Sequence, residues 1–298
     1  MSIKFLFLET RPQFLLLSPI LVFLGMAIAL TNGAFDLLHF VLLTIGLILL
    51  HTSVNTLNDY SDHKTGIDFK TERTPFSGGS GFLTSGALSA KSAYALGIGS
   101  FILAVPIGVY FIITRGWSLL PLFIIGAIFV LWYTSHITKL GGGIAEISAG
   151  LGLGTLPVFG TFYILNGGFA WEALYASVPS GFLVFNLLLL NEFPDAEADR
   201  AGNRRTIPII LGHRKAAFIY STVIILTYVW VLIGVISDII PVWGLLALLS
   251  LPFGLKAVSG SLTYGSFREL IPAQGANVAT VLTTQLFLGV GYILSYAL

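Results

Sequence analysis

Apolar positions along this chain come in long unbroken runs, separated by short polar stretches. Nine runs stand out, at about 12–31, 37–57, 92–113, 117–133, 144–165, 171–190, 216–237, 240–255 and 277–297. A helix that crosses a bilayer needs about 20 mostly apolar residues. The fourth and eighth runs fall short of that, and the others reach it or come close. Within each run the apolar residues are continuous rather than alternating, which predicts helices and not barrel strands. The expectation is an all-α, polytopic membrane bundle of nine transmembrane helices, forming a single domain over 1–298. The first run follows Lys4 and Arg11, is longer than a signal-peptide core and leads to no clear small-residue cleavage site, so it reads as the first span.

Composition strengthens this picture. Charged residues make up only 10% of the chain and hydrophobic ones 55%, whereas a soluble domain carries about 25% charged residues. Mean hydropathy is +0.90. The net charge of +1 provides no basic field for nucleic acid, and the absence of cysteine excludes disulfides, thiolate metal sites and cysteine nucleophiles. With nine spans, one face of the membrane receives residues 1–11, 58–91, 134–143, 191–215 and 256–276. Those segments hold 14 of the 15 Lys and Arg residues, leaving only Arg115 on the other side. The positive-inside rule therefore places the N-terminus and these loops in the cytoplasm.

The acidic residues point to chemistry. Eight of the 14 Asp and Glu residues lie in segments 58–91 and 191–215. The first Asp-rich loop reads Asn58-Asp59-Tyr60-Ser61-Asp62, with Asp68 beyond it. The second reads Asn191-Glu192-Phe193-Pro194-Asp195, with Asp199 beyond it. Both share the order Asn, acid, aromatic, small residue, Asp, and both continue to an Arg-Thr pair and a proline, at Arg73-Thr74-Pro75 and Arg205-Thr206-Ile207-Pro208. They follow the second and sixth spans, a pattern that suggests internal duplication. Asp195 and Asp199 are four residues apart and Asp59 and Asp62 three apart, so on a helix each pair would share one face. Magnesium prefers carboxylate oxygens and fills its remaining positions with water and substrate phosphates. Two such clusters facing one cavity would hold a polyphosphate through bridging metal. Asn58 and Asn191 add amide groups, and Lys64, Arg73, Lys139, Arg204 and Arg205 are cations for the remaining phosphate oxygens.

The paired motifs resemble those of the UbiA superfamily of intramembrane prenyltransferases, from about Arg11 to the ninth span. The resemblance implies nine helices around a central cavity, two Mg2+ ions and an allylic isoprenyl diphosphate as prenyl donor. It implies metal binding by Asp59, Asp62, Asp195 and Asp199, and catalytic roles for Asp62, Asp68, Asp195 and Asp199. Asn55, Asn58, Arg73, Tyr133, Lys139, Asn191 and Arg205 then belong to the diphosphate site. The six-residue step from Asp62 to Asp68, with Lys64-Thr65-Gly66 inside it, resembles the menaquinone-pathway branch. That points to an aromatic acceptor of the 1,4-dihydroxy-2-naphthoate kind in quinone biosynthesis. A glyceryl phosphate lipid acceptor taking a geranylgeranyl group is the alternative. A cation-coupled transporter is a third reading, disfavoured because its site would lie near the bilayer midplane.

Other polar residues carry less. His39 and His51 lie in the second span, and His51 is one turn from Asn55. Glu146 opens the fifth span and reads either as an orienting group for an acceptor hydroxyl or as an interfacial residue. Gly78-Gly79-Ser80-Gly81 follows no strand, so it is not a nucleotide-binding fingerprint; it reads as a flexible lid segment over the cavity mouth. Gly150, Gly152 and Gly154 are expected to allow close helix packing.

Overall fold

A computed structural model describes residues 3–298. Nine membrane-length or near-length helical segments form the bundle: α1 (Pro12–Leu30), α2 (Leu37–Thr65), α3 (Ala90–Arg115), α4 (Trp117–Trp132), α5 (Ile144–Asn166), α6 (Trp171–Ala201), α7 (His213–Ile236), α8 (Val242–Thr263) and α9 (Phe267–Ala297). Eight are long and apolar enough to span; α4, with 3-10 geometry in its first turn, is shorter. A short helix, Ile3–Glu9, precedes α1, and another, Ile207–Leu211, precedes α7. The nine-helix expectation holds.

The limits of the elements differ from the apolar runs in one consequential way. The two Asp-rich stretches are not loops. The helix that begins at Leu37 continues through Asn58, Asp59 and Asp62 to Thr65, and the one that begins at Trp171 continues through Asn191, Asp195 and Asp199 to Ala201. Pro194 lies inside α6 without ending it. An apolar run marks where lipid ends, whereas a helix continues as long as its backbone bonds are made. α8 likewise runs to Thr263, beyond the predicted 255, and α9 begins at Phe267, ten residues before the apolar run.

α1 and α6 occupy the middle of the bundle. α1 packs on α2, α5, α6 and α9, and α6 also packs on α5, α7 and α9. Leu17, Leu21 and Leu24 of α1 meet Val158 and Phe162 of α5, Leu183 of α6 and Leu288 and Tyr292 of α9 in the main apolar core. Close approach of α5 and α6 depends on glycine. A Cβ on Gly154 would stand 2.5 Å from the Ser180 carbonyl oxygen, and one on Gly150 would stand 2.6 Å from that of Gly181. α5 also carries a π-bulge over Leu151–Thr155, where Leu153 leaves helical geometry and faces the cavity. Large apolar side chains such as Ile102, Leu103, Ile113, Ile225 and Ile236 are exposed on the outside of the bundle, as lipid-facing surface is. Some interior polar groups pair helix to helix, as where Ser250 Oγ and Thr284 Oγ1 lie 2.6 Å apart.

Candidate functional site

A cavity of about 270 Å³ opens between α1, α2, α4, α5 and α6. Its inner part is apolar, lined by Leu17, Leu47, Leu50, Phe129, Leu153 and Leu187. Its mouth is polar, because α2 and α6 both bring their helical extensions to it. Asn55, Asn58 and Asp62 face it from α2; Asn191, Asp195 and Asp199 face it from α6. At about 1.5 Å per residue, the lining from Leu47 to Asp62 covers about 22 Å of helix. One wall thus runs from hydrocarbon to carboxylate.

The segment after α2 closes over this mouth. Gly78, Gly79 and Gly81 all have φ near +70° to +80°, a left-handed conformation that glycine adopts without steric cost. The resulting turns aim backbone amides at the acids: Gly78 N donates to Asp195 Oδ2 at 3.2 Å, and Ser80 N donates to Asp59 Oδ2 at 2.7 Å. Gly79 is pressed on Asp68, whose Oδ1 would lie 3.0 Å from an added Cβ. The predicted lid is therefore a strap that bridges the two motifs through its peptide groups. Asp68 sits in the short turn Ile67–Phe69, 9% exposed. Burial, and next the charge of Asp59, push its carboxyl up to about 7.

Arg204 joins the motifs a second time. Its guanidinium donates to Asp62 Oδ1 and, at 2.8 Å, to Asp199 Oδ1. Arg11 lies 3.8 Å from Asp59 Oδ1 and holds a left-handed φ of 56°, a sparsely populated conformation for a non-glycine residue. Asp59 Oδ1 and Asp195 Oδ1 are buried without a hydrogen-bond partner. Among the described residues, no three His, Asp or Glu side chains are gathered into a ready metal cage.

The remaining predicted residues divide into two groups. Asn55 Nδ2 donates to the Thr10 carbonyl, Asn58 Nδ2 donates to Thr134 Oγ1, and Asn191 Oδ1 accepts from Gln274, so all three amides are fixed at the cavity edge. Tyr133 also lines the cavity. Arg73, Lys139 and Arg205 do not line it. Arg73 is spent on its own strap, donating to the Gly81 carbonyl and Thr84 Oγ1. Lys139 is exposed, and the Arg205 side chain packs near Gly141. His51 lines the cavity with Nδ1 3.0 Å from Ser18 Oγ, whereas His39 pairs with Tyr110 and Arg115 at the other end of α2.

Three participants escaped the motif reading. Glu9, fully buried, accepts a 2.6 Å hydrogen bond from Ser80 Oγ and so anchors the strap from the N-terminal side. Burial, then Asp59, raise its carboxyl to about 8. Arg11 is the second. Their only sequence signal is an acid and a base placed just before the first span. Glu192 is the third, 6% exposed and lining the cavity. It holds the place in the second motif that Asp59 holds in the first.

An apolar bundle with a polar, carboxylate-rich mouth at one end is a membrane-embedded cavity with both an apolar and a charged part. The family model described as the UbiA prenyltransferase family matches residues 16–267, and the chain belongs to that family; it is a multi-pass integral membrane prenyltransferase. It is 26% identical over 288 residues to the 1,4-dihydroxy-2-naphthoate octaprenyltransferase of Bacillus subtilis, covering 96% of this chain and 91% of that protein. In fold it resembles the apo structure of a UbiA homolog from Aeropyrum pernix, with TM-score 0.72 and 17% identity over 95% of this chain and 98% of that one. It also resembles a UbiA homolog from Archaeoglobus fulgidus bound to GPP and Mg2+, with TM-score 0.66 and 16% identity over 97% and 99% of the two chains. The resemblance read from the paired motifs is thereby borne out.

Proposed function

We propose that this enzyme transfers an isoprenyl group from an allylic isoprenyl diphosphate to a hydroxylated aromatic acceptor of the 1,4-dihydroxy-2-naphthoate kind, in quinone biosynthesis. The observation that carries the reading is the facing of the two Asp motifs across one cavity mouth, Asp62 and Asp68 on one side and Asp195 and Asp199 on the other, with Asp195 Oδ1 buried and without a hydrogen-bond partner. The likeness to the Bacillus subtilis octaprenyltransferase over nearly the whole chain supports the acceptor class.

These carboxylates suit Mg2+. That ion binds through one or two carboxylates and completes its shell with water and substrate phosphate, and each motif offers such a set. Asp59 and Asp62 on one side, and Asp195 and Asp199 on the other, would hold two ions, with Asp68, which lines the same cavity, beside the first pair. The chemistry such ions supply is neutralisation of charge on the departing diphosphate. The protein's own contribution is arranged around that event. Asn58 and Asn191 fix the polar rim, Arg204 and Arg11 bring positive charge to it, and the Gly78–Gly81 strap covers it. Leu47, Leu50, Leu153 and Leu187 keep water from the allylic cation and receive the apolar tail. Phe129 is an aromatic residue of the same lining, whereas the Phe14 ring already carries the Arg11 guanidinium 5.3 Å from its centroid. The concentration of Lys and Arg at the Asp end orients that end to the cytoplasm.

The test is product formation by purified protein in lipid nanodiscs with Mg2+. Allylic diphosphates of several lengths are each paired with dihydroxynaphthoate or with geranylgeranylglyceryl phosphate. A prenylated naphthoate-derived product is expected. A prenylated glyceryl lipid alone would overturn the acceptor assignment, and cation flux into sealed vesicles without any prenylated product would overturn the reaction.

A further inference from the structure

The cavity holds a second polar group that diphosphate chemistry does not use. Glu146 of α5 is fully buried and Glu192 of α6 is 6% exposed. Glu146 Oε1 accepts a 2.6 Å hydrogen bond from the Ile207 amide and so caps the short helix Ile207–Leu211. Its other oxygen has no partner, and neither has Glu192 Oε2. The two carboxyl groups are close enough to act on each other electrostatically, and adjacent carboxyl groups in a medium of low dielectric repel an approaching anion strongly. Glu146 stands behind the wall and Glu192 stands in it. Glu192 is therefore the member of the pair that a ligand in the cavity would meet.

Two hydroxyl groups accompany it. Thr206, 1% exposed, has no partner for Oγ1, and the Tyr133 hydroxyl is covered and also unpartnered; both residues line the same cavity. Buried polar groups without partners are uncommon in folded proteins and call for an explanation. A phosphate does not supply one, since the carboxyl pair repels an anion and the nearest guanidinium, Arg204, is held by Asp62 and Asp199. What fits is a neutral hydrogen-bond donor on a ligand that enters the cavity, and an aromatic hydroxyl is one.

We infer that Glu192, backed by Glu146, receives the hydroxyl group of the prenyl acceptor and takes its proton as the new carbon–carbon bond forms, with Tyr133 and Thr206 as the flanking contacts. The inference rests on the prenyl-transfer reading above. In the step, the allylic carbon–oxygen bond breaks and its electron pair leaves with the diphosphate. A ring carbon of the acceptor supplies the pair for the new carbon–carbon bond. The hydroxyl oxygen becomes a carbonyl, and its proton passes to the Glu192 carboxylate. Glu146 is a positioning residue: its bond to the Ile207 amide fixes the carboxyl that holds Glu192 in place.

The test compares the wild-type enzyme with Glu192→Gln and Glu192→Asp on 1,4-dihydroxy-2-naphthoate and its two mono-O-methyl ethers. Proton transfer by a positioned side chain contributes about 100-fold or more to rate, so Glu192→Gln is expected to lose about that factor in turnover. Glu192→Asp is expected to recover part of it. The wild-type enzyme should lose a similar factor on one of the two ethers, and Glu192→Gln should lose nothing further on that ether, because the two changes remove one contact. Binding of inorganic pyrophosphate with Mg2+ should match wild type in both variants, which reports an intact diphosphate site. Should Glu192→Gln not fold, Glu192→Asp carries the same comparison. Wild-type turnover and KM in Glu192→Gln would overturn the inference, as would equal losses on free and methylated acceptors. Absence of any prenylated arene from the wild-type enzyme would instead overturn the proposed function, and this inference with it.

Discussion

Arg204 is the only side chain that ion-pairs with acids of both motifs among the described residues, so its removal tests how the site is held before substrate arrives. Its side chain is 10% exposed, as is that of Asp62, and that of Asp199 is 4% exposed. Arg204→Met keeps much of the volume and deletes the charge. Hydrogen bonds to charged groups are worth about 1.5–3 kcal/mol each, and breaking a buried pair costs about 3–5 kcal/mol because a charge is left uncompensated. Two bonds are lost here, but the freed carboxyls relieve part of the penalty by binding protons, so about 3 kcal/mol is a reasonable expectation. At about 2–4 °C per kcal/mol for chains somewhat shorter than this one, the melting temperature in chelator should fall by roughly 6–12 °C. Divalent cations should then reverse the loss, since they supply the positive charge the guanidinium gave. A ligand at 100 times its Kd adds about 2.7 kcal/mol, enough to restore most of the stability. The assay is thermal unfolding in detergent, with chelator and across a Mg2+ titration. A variant that melts with the wild type in chelator would show that the bridge holds nothing. A variant that melts low and gains no more from Mg2+ than the wild type does would show that the cation does not take over the guanidinium's partners.

Asp62→Ala and Asp195→Ala should each abolish turnover while the bundle stays folded, as judged by size-exclusion profile and helix content; wild-type product formation in either would remove that residue from the metal-binding set. Gly154→Ala places a methyl carbon 2.5 Å from the Ser180 carbonyl; overpacking costs about 1–3 kcal/mol, so the variant should melt several degrees lower, and unchanged melting would mean that α5 and α6 part freely. Glu9 holds its proton in the folded protein up to about pH 8, whereas its ordinary value is 4.5. Its stabilising contribution is therefore complete below about pH 4.5 and is lost as pH rises through 8. In metal-free buffer the wild-type melting temperature should decline over that interval, and Glu9→Gln, which cannot ionise, should decline less; parallel profiles would count against a buried Glu9.

Much of this was legible in the sequence because lipid imposes simple demands. A bilayer satisfies no backbone bonds, so nine apolar runs had to be helices, and polarity within or next to them had to be justified by a partner or a function. The motifs were legible for the same reason: Asn58 and Asp62, and Asn191, Asp195 and Asp199, recur at helical spacing and emerge on two facing walls of one cavity. What was not legible depends on chain geometry that has no local signature. That Asn58 to Asp62 and Asn191 to Asp199 are helix rather than loop follows from backbone bonds continuing past the apolar run. Arg73 carries the charge expected of a diphosphate ligand, but the left-handed turn at Gly81 folds its guanidinium back on the strap. Glu9 and Glu192 could be assigned only once Ser80 and Glu146 were brought beside them by segments 71 and 46 residues away in the chain.

The strap gives the clearest link between sequence, stability and function. The amides of Gly78 and Ser80 occupy one oxygen each of Asp195 and Asp59, while the other oxygen of each acid is buried and accepts no hydrogen bond, that of Asp59 having Arg11 at 3.8 Å. Backbone amides are fixed donors, so they hold the two carboxylates at a set spacing without using up their second oxygens. A side-chain cation in the same place would compete with a metal for both. Glu9, by accepting from Ser80 Oγ, fixes the strap at the side opposite α6. The sequence Gly78-Gly79-Ser80-Gly81 thus needs its glycines for left-handed turns and its serine for a hydroxyl that reaches Glu9. Replacing Ser80 with alanine keeps the amide bond to Asp59 but releases the strap from Glu9. The expected result is a weaker response of turnover to Mg2+, with higher ion concentrations needed for half-maximal rate. An unchanged Mg2+ dependence would mean that the strap positions the acids without help from the N-terminal helix.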